Sequence, residues 1–303
     1  MRVLVTGANG FLGRHLVEAL AAAGETPIAL SIDRTGLPEA VEFVAADVRD
    51  RDLLAEQVRR LDPAAIVHLA ALSHVGTSWT EIASYYAVNV AGSENLFAAA
   101  AGRRVLFASS AEVYGAVPER EQPIVEERAL APRSPYALTK AAGERLAVQA
   151  GVTVVRLFNL LGPGQAKGFA LPSFADQLAA IAAGEREAVL RVGNLEARRD
   201  FVHVRDAVDA LLLLLARGER ATSYNLASGE AHSIAEMLDR LRALAGVPVR
   251  LELDPERLRP TDIPKLAGRA ERLMALGWEP RRGIDAALAE LWAEARAAHG
   301  LPA

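Results

Sequence analysis

Residues 3–16, VLVTGANGFLGRHL, decide how the rest of the chain is read. A short β-branched and apolar run ends at Gly7. Gly10 and Gly13 follow, and Phe11, Leu12, Leu16, Ala19 and Leu20 then recur at helical spacing. A strand that turns sharply into a helix leaves unpaired N–H groups at the helix start, where the dipole favours an anion. Glycines there allow a tight turn and let a pyrophosphate approach the backbone. The spacing is G-x-x-G-x-x-G, and a glycine triplet alone also fits a plain strand-to-helix turn. Position favours the dinucleotide, because this loop opens a long alternating α/β region.

That region continues with apolar runs at PIALS (27–31), VEFVAA (41–46), AIVHLAA (65–71), RVLFAS (104–109) and TVVRLF (153–158). Helical patterns separate them at 11–23, 50–61, 82–100 and 134–150. Strands apolar on both sides, set between helices, imply a parallel sheet covered on both faces, an α/β doubly wound (Rossmann) architecture. From about 162 the rhythm becomes irregular, with LGPGQAKG (161–168), a helix around 172–184 and AVLRVGNLEARRDFVHVRD (188–206). A helix at 234–245, a strand VRLEL (249–253), the loop DPERLRPTDIP (254–264) and an amphipathic helix at 283–298 complete it. We expect a dinucleotide-binding unit over 1–160, with contributions from about 195–227, and a smaller interleaved substrate lobe over 161–303.

With 303 residues, 51% of them apolar, the chain can bury a substantial core. A formal net charge of −4 removes the field that wholesale binding to nucleic acid or anionic membranes needs. No cysteine occurs, which excludes disulfides, thiolate metal sites and cysteine nucleophiles and fits a reducing cytoplasm. The apolar run near Met1 is too short for a signal peptide, and residues 210–216 fall far below the roughly 20 that span a bilayer. Neither a G-x-S-x-G elbow nor an H-E-x-x-H pair occurs; the nearest histidines, His68 and His74, bracket a strand end, so no metal site is expected.

In a doubly wound sheet, ligands bind beyond the carboxyl ends of the strands. At the second such end, ALSIDRT (29–35) offers Ser31 without charge and then Asp33 and Arg34 together. A carboxylate suits a ribose 2′-hydroxyl and an arginine suits a 2′-phosphate; the balance falls to NADP(H), with NAD(H) the alternative. Asp47 in AADVRD (45–50) can accept from an adenine amino group, or equally serve as charge at the start of the next helix. LFASSAEVYG (106–115) brings Ser109, Ser110, Glu112 and Tyr114 to a strand end, where serines are also common turn and cap residues. SPYALTK (134–140) sets Tyr136 four residues before Lys140, one of only three lysines in the chain. Residues i and i+4 share a helix face, and an ammonium close to a phenol lowers its pKa and makes it a usable acid or base. The plain alternative is an amphipathic helix with a surface lysine.

TGANGFLG, HLAA, SSAEVYG and YALTK, in that order, resemble the extended short-chain dehydrogenase/reductases that modify nucleotide sugars. FNLLGPGQAKGF (158–169), VGNLEARRDFVHVRD (192–206) and LRPTDIPKLAG (258–268) narrow the likeness to the GDP-4-keto-6-deoxy-D-mannose reductases and GDP-mannose 4,6-dehydratases. The resemblance implies a catalytic set of Ser110, Tyr136 and Lys140, with Tyr136 protonating the sugar C4 oxygen and Lys140 holding the nicotinamide ribose. It places Gly7, Gly10, Phe11, Leu12 and Gly13 at the pyrophosphate, Asp47 and Val48 at the adenine, Leu69, Ala70 and Ala71 along the coenzyme, and Asn89 near the triad. Asn159, Arg199 and Arg259 would hold a GDP-linked sugar beside His74, Phe169, Asn194 and Asp262. Dehydratases of the TDP-glucose type have Thr-Asp-Glu where this chain has Ser110, Ala111 and Glu112, so their eliminating acid is absent, while Glu112 keeps dehydration open. The implied reaction is NAD(P)H-dependent reduction at C4 of a GDP-4-keto-6-deoxyhexose, ahead of dehydration, C4 epimerisation and a catalytically silent dinucleotide sensor. The helices near 82–100 and 134–150 resemble the family's four-helix homodimer interface.

Overall fold

A computed structural model describes residues 1–258 and 262–302. The first strand, β1 (Arg2–Thr6), buries Val3, Leu4 and Val5 completely and feeds α1 (Phe11–Ala22). The pattern repeats through β2 (Thr26–Ser31), β3 (Glu42–Ala45), α2 (Arg51–Leu61) and β4 (Ala65–His68). Asp50 caps α2 by accepting from Leu53 N at 3.0 Å.

Residues 82–99 form one helical run in three parts. These are α3 (Ile82–Tyr86), a π-helical turn (Ala87–Ala91) and α4 (Gly92–Ala99). The wider turn is where Asn89 leaves the helix for the interior, a local insertion that periodicity alone does not reveal. Then come β5 (Arg104–Ser110), α5 (Pro135–Gln149) and β6 (Thr153–Leu157). Ser134 caps α5 from Ala137 N at 3.1 Å, and Pro135 occupies the first turn, where a missing N–H is harmless.

The remaining elements are β7 (Asn159–Leu161), α6 (Ala170–Ala182), β8 (Val189–Val192), β9 (Arg198–His203), α7 (Val204–Arg217), β10 (Ser223–Leu226) and β11 (Ala231–Ser233). They are followed by α8 (Ile234–Ala245), β12 (Arg250–Leu253), β13 (Lys265–Leu266), α9 (Glu271–Ala275) and α10 (Ile284–Ala298).

Seven parallel strands make the large sheet in the order β10-β6-β5-β4-β1-β2-β3. Val5 lies opposite Ala29 on one side and Val67 on the other, so the strand order reverses between β1 and β4. A reversal opens a crevice at the carboxyl ends, because the crossover helices on the two sides leave by opposite faces. One face is covered by α1 and α7 over Val3, Val5, Leu16, Leu20, Leu211 and Leu214; the other by α2, α4 and α5 over Leu4, Ile66, Leu96 and Phe107. Each such fully buried leucine contributes about 1.5–3 kcal/mol. The smaller layer joins β11-β9-β13, with β7 on β9, and a β8–β12 pair, and buries Phe174, Leu178, Met237, Leu241, Leu288 and Trp292 from α6, α8 and α10. Residues 195–227 supply α7 and β10 to the large sheet and β9 to the small one. Among the described residues, no helix is long and apolar enough to cross a membrane.

Candidate active site

The glycine loop stands at the crevice between β1 and β4. Gly7 has φ +66°, and a Cβ there would lie 2.7 Å from Ala70 N; one on Gly13 would lie 2.3 Å from the Gly7 carbonyl. The loop is thus closed to side chains on its inner side, and Gly13 lets α1 settle onto it. No side chain caps α1 and no acid occupies its first turn, so its N–H groups are open to an anion. Leu69, Ala70 and Ala71 run alongside, with Leu69 N bonded to the Thr6 carbonyl and Ala70 N to Thr6 Oγ1. These features fit a dinucleotide pyrophosphate with Gly7, Gly10, Phe11, Leu12 and Gly13 around it.

At the end of β2, Ser31 Oγ donates to the Asp33 carbonyl at 2.6 Å. The Asp33 carboxylate accepts from Thr35 N at 2.9 Å and from Asn9 Nδ2 of the glycine loop at 3.1 Å, and its interactions with Thr35, side chain first and then backbone, followed by Asn9, hold its pKa below the usual range. Arg34 is engaged by the loop that follows it. Its guanidinium donates to the carbonyls of Pro38, Glu39 and Val41 and lies over the Phe43 ring, because the following loop curls back beneath it. Asp47 is held by Arg49, with NH2 at 2.6 Å, and Val48 packs beneath Gly92.

Three residues at the end of β5 meet three residues of α5. Ser110 lies beside the Tyr136 phenol, and its Oγ accepts from Glu112 N at 3.2 Å. The Ala108 carbonyl accepts from Lys140 Nζ at 2.7 Å, and Ser109 Oγ donates to Glu144 Oε1 at 2.5 Å. The expectation that Lys140 lowers the Tyr136 pKa is not met: burial pushes the phenol up to about 12, with the Ser110 hydroxyl opposing. The reason is geometric, since the ammonium turns to the Ala108 carbonyl. Lys140 itself is pulled down to about 8 by burial, with Glu144 opposing.

Asn89 is fully engaged by the protein. Its Oδ1 accepts from Leu72 N at 2.8 Å, while Nδ2 donates to the Leu72 carbonyl at 2.9 Å and Thr139 Oγ1 at 3.0 Å. That fixes the segment after β4 against α5, so Asn89 acts on the site through its neighbours. His68 supports the same region. Ser93 Oγ donates to the Asn89 carbonyl and therefore accepts from His68 Nε2 at 3.0 Å, leaving Nδ1 to accept from Thr6 Oγ1 at 2.7 Å. Burial lowers its pKa to about 3, so it is neutral.

A cleft of about 510 Å³ between the two layers gathers His74, Asn159, Phe169, Asn194, Arg199 and Asp262. Ser110 and Tyr136 lie outside its walls but adjoin it through Tyr85, whose hydroxyl donates to the His74 carbonyl and whose ring meets Tyr136 edge-on at 6.4 Å. His74 Nε2 reaches the Gly168 carbonyl at 3.1 Å and so ties the two sides of the mouth.

Arg199, which the resemblance implies for the nucleotide sugar, is held by the protein's own groups. It is 4% exposed and donates to Asp262 at 2.7 Å and to the carbonyls of Ile263 and Arg198. Asn194 Nδ2 holds the other Asp262 oxygen at 2.7 Å. Arg259 lies outside the described residues. The structure adds Lys167 and Arg257 to the cleft; both sit in stretches whose loop character was plain, but nothing in their local sequence sets them apart from other surface cations. Among the described residues, no cluster of His, Asp or Glu is placed to hold a metal ion.

Comparison with known proteins shows the family. The model of the NAD dependent epimerase/dehydratase family matches residues 3–227. The chain is 36% identical to GDP-6-deoxy-D-mannose reductase of Pseudomonas aeruginosa over 95% of its own length and 94% of that protein's. It is 32% identical to UDP-glucose 4-epimerase of Streptomyces lividans over 96% and 95%. Among solved structures, RMD from Pseudomonas aeruginosa complexed with NADPH superposes with a TM-score of 0.87 at 34% identity, covering 98% of this chain and 99% of that one. The UDP-glucose 4-epimerase of Thermus thermophilus in complex with NAD gives 0.88 at 31%, covering 98% and 100%. A glycine cradle closed to side chains, a serine–tyrosine pair at the neighbouring strand end and likeness along almost the whole chain thus converge, and this NAD(P)-dependent nucleotide-sugar enzyme belongs to the NAD dependent epimerase/dehydratase family of extended short-chain dehydrogenase/reductases.

Proposed function

We propose that the chain reduces the C4 ketone of a GDP-linked 4-keto-6-deoxyhexose, giving GDP-D-rhamnose or its C4 epimer. The observation that carries this reading is the Ser110–Tyr136 pair, whose phenol is kept protonated well above neutrality and so stands ready as a proton donor. A bound NAD(P)H supplies the hydride. Ser110 orients the ketone oxygen, Tyr136 Oη delivers its proton there as negative charge develops, and Lys140 holds the ribose. The buried sheet ends around them exclude water, which strengthens each of these contacts. Ala111, 2% exposed among Val113 and Tyr114, stands where dehydratases of the TDP-glucose type have their eliminating aspartate, which argues against that elimination chemistry and leaves Glu112 as the carboxylate a GDP-mannose dehydration would need. The reductase of Pseudomonas aeruginosa at 36% identity supports the GDP sugar.

A second reading, C4 epimerisation of a nucleotide sugar, draws on the 4-epimerase at 32% identity. Mass spectrometry coupled to chromatography that resolves isomers separates them. The proposal expects a gain of two hydrogens from the pre-made keto sugar only when NAD(P)H is added, and an isomer formed without added reductant would refute it.

For the coenzyme, two observations pull apart: the solved relative holding NADPH, and an Asp33 carboxylate over the glycine loop with Arg34 turned away. The kcat/KM ratio for NADPH against NADH decides. We further propose a homodimer through α3, α4 and α5, where Ile82, Tyr86, Leu138 and Val148 are large apolar side chains left exposed, and, from the cysteine-free composition, a cytoplasmic location.

A further inference from the structure

The face of α5 that carries Tyr136 and Lys140 continues one turn further to Glu144, which no step above uses. This side chain is deeply buried, yet its charge is matched. Arg156 of β6 donates Nε to both carboxylate oxygens at 3.1 Å and NH2 to Oε2 at 2.8 Å, and Ser109 donates at 2.5 Å. Arg156 is fixed in turn by Tyr114 Oη and the Glu126 carbonyl, each at 2.8 Å. Apolar residues of similar size usually stabilise such a position at least as well as a buried ion pair does, so stability alone does not account for it. Its placement suggests another reason. The consecutive residues Ala108 and Ser109 bond to Lys140 and Glu144, and Ser110 lies beside Tyr136; these three α5 residues are spaced by four along one helix.

We infer that the Glu144–Arg156 ion pair is a positioning element of the catalytic set, locking α5 to the end of β5 and holding a negative charge one helical turn behind Lys140. This rests on the proposed roles of Tyr136 and Lys140. The surroundings of the amine leave Glu144 the part. On α5 it is accompanied by Tyr136 and Glu144; from β4 comes His68, which is neutral; from β5 come the Ala108 carbonyl and the Phe107 ring at 5.0 Å. Arg156 of β6 lies beyond Glu144, and Glu112 and Tyr85 act on Tyr136. Among the described residues, Glu144 is the carboxylate that favours the ammonium against desolvation.

Because the chain has only three lysines, labelling with [13Cε]lysine yields three resonances, assigned with Lys167→Arg and Lys265→Arg. Their pH titration is compared in the wild type, in E144Q/R156M, which leaves no lone buried ion, and in E144D, which keeps the charge but retracts it. We expect the Lys140 midpoint to fall by about one unit in the double variant, a change of ~tenfold in its proton affinity. The alkaline limb of kcat should move down in parallel, and E144D should fall between. A Lys140 midpoint unmoved in E144Q/R156M would overturn the inference, whatever happens to the melting temperature. If that variant does not fold, an unmoved midpoint in E144D overturns it equally. A wild type with the expected titration that reduces no keto sugar would instead refute the proposed reaction, since the NMR midpoint needs no substrate.

Discussion

Replacing Lys140 with methionine should change how stability depends on pH, by an amount the structure sets. The amine is 3% exposed, and burial lowers its pKa from 10.5 to about 8. Between those values the unfolded chain holds a proton that the folded chain has released, so folding becomes more favourable as pH rises through this window. The gain between pH 7 and pH 10 is about 2.5 kcal/mol. Lys140→Met has no such proton. It also leaves the Ala108 carbonyl without its donor, a loss of about 1–3 kcal/mol that does not depend on pH and drops out of the slope. Urea unfolding followed by tryptophan fluorescence at pH 7, 8, 9 and 10 gives the wild-type-minus-variant difference, in which other titrating groups largely cancel. That difference should climb by about 2.5 kcal/mol in favour of the wild type. A flat difference would refute the picture of a desolvated ammonium beside the phenol, and with it the reason given for Glu144.

Three further outcomes follow from the geometry. Tyr136→Phe should reduce turnover by ~10²–10⁴-fold, since it removes the proton donor, while coenzyme affinity measured by NAD(P)H fluorescence stays nearly unchanged. Gly7→Ala places a Cβ 2.7 Å from Ala70 N at φ +66° and should abolish coenzyme binding, whereas Gly24→Ala, at φ +76° with nothing within 4 Å, should lose only about 1 kcal/mol by chemical denaturation. Arg156→Ala strands the buried Glu144 carboxylate and should lower stability by about 3–5 kcal/mol, against about 0–1 kcal/mol for Arg240→Ala, whose partner Asp285 is exposed; equal losses would show that burial does not separate the two pairs.

Much of the architecture was legible because its causes are local. The apolar strands, the helical repeat from Phe11 to Leu20 and the caps at Asp50 and Ser134 each act within a few residues, so a linear reading can find them. The π-helical turn around Asn89 was not legible, since Ala87–Ala91 has no composition that marks it. The sequence offered Arg34 for a 2′-phosphate, and the resemblance implied Arg199 for the nucleotide sugar. Tertiary contacts redirect both: the loop through Val41 supplies carbonyls to one, and Asp262 with Ile263 encloses the other. His74, Asn159, Phe169 and Asn194 lie far apart in the chain, and only the meeting of the two layers makes them walls of one cleft.

The order of residues alone determined a nucleotide-binding α/β sheet and the spacing of Tyr136 with Lys140, because turn glycines and the helical period are properties of short segments. Folding in three dimensions decided what that spacing does. It buried the phenol, turned the ammonium to the Ala108 carbonyl, and set the Glu144–Arg156 pair behind it. Proton affinities depend on the dielectric and on charges a few ångströms away, and those neighbours come from strands and helices remote in sequence.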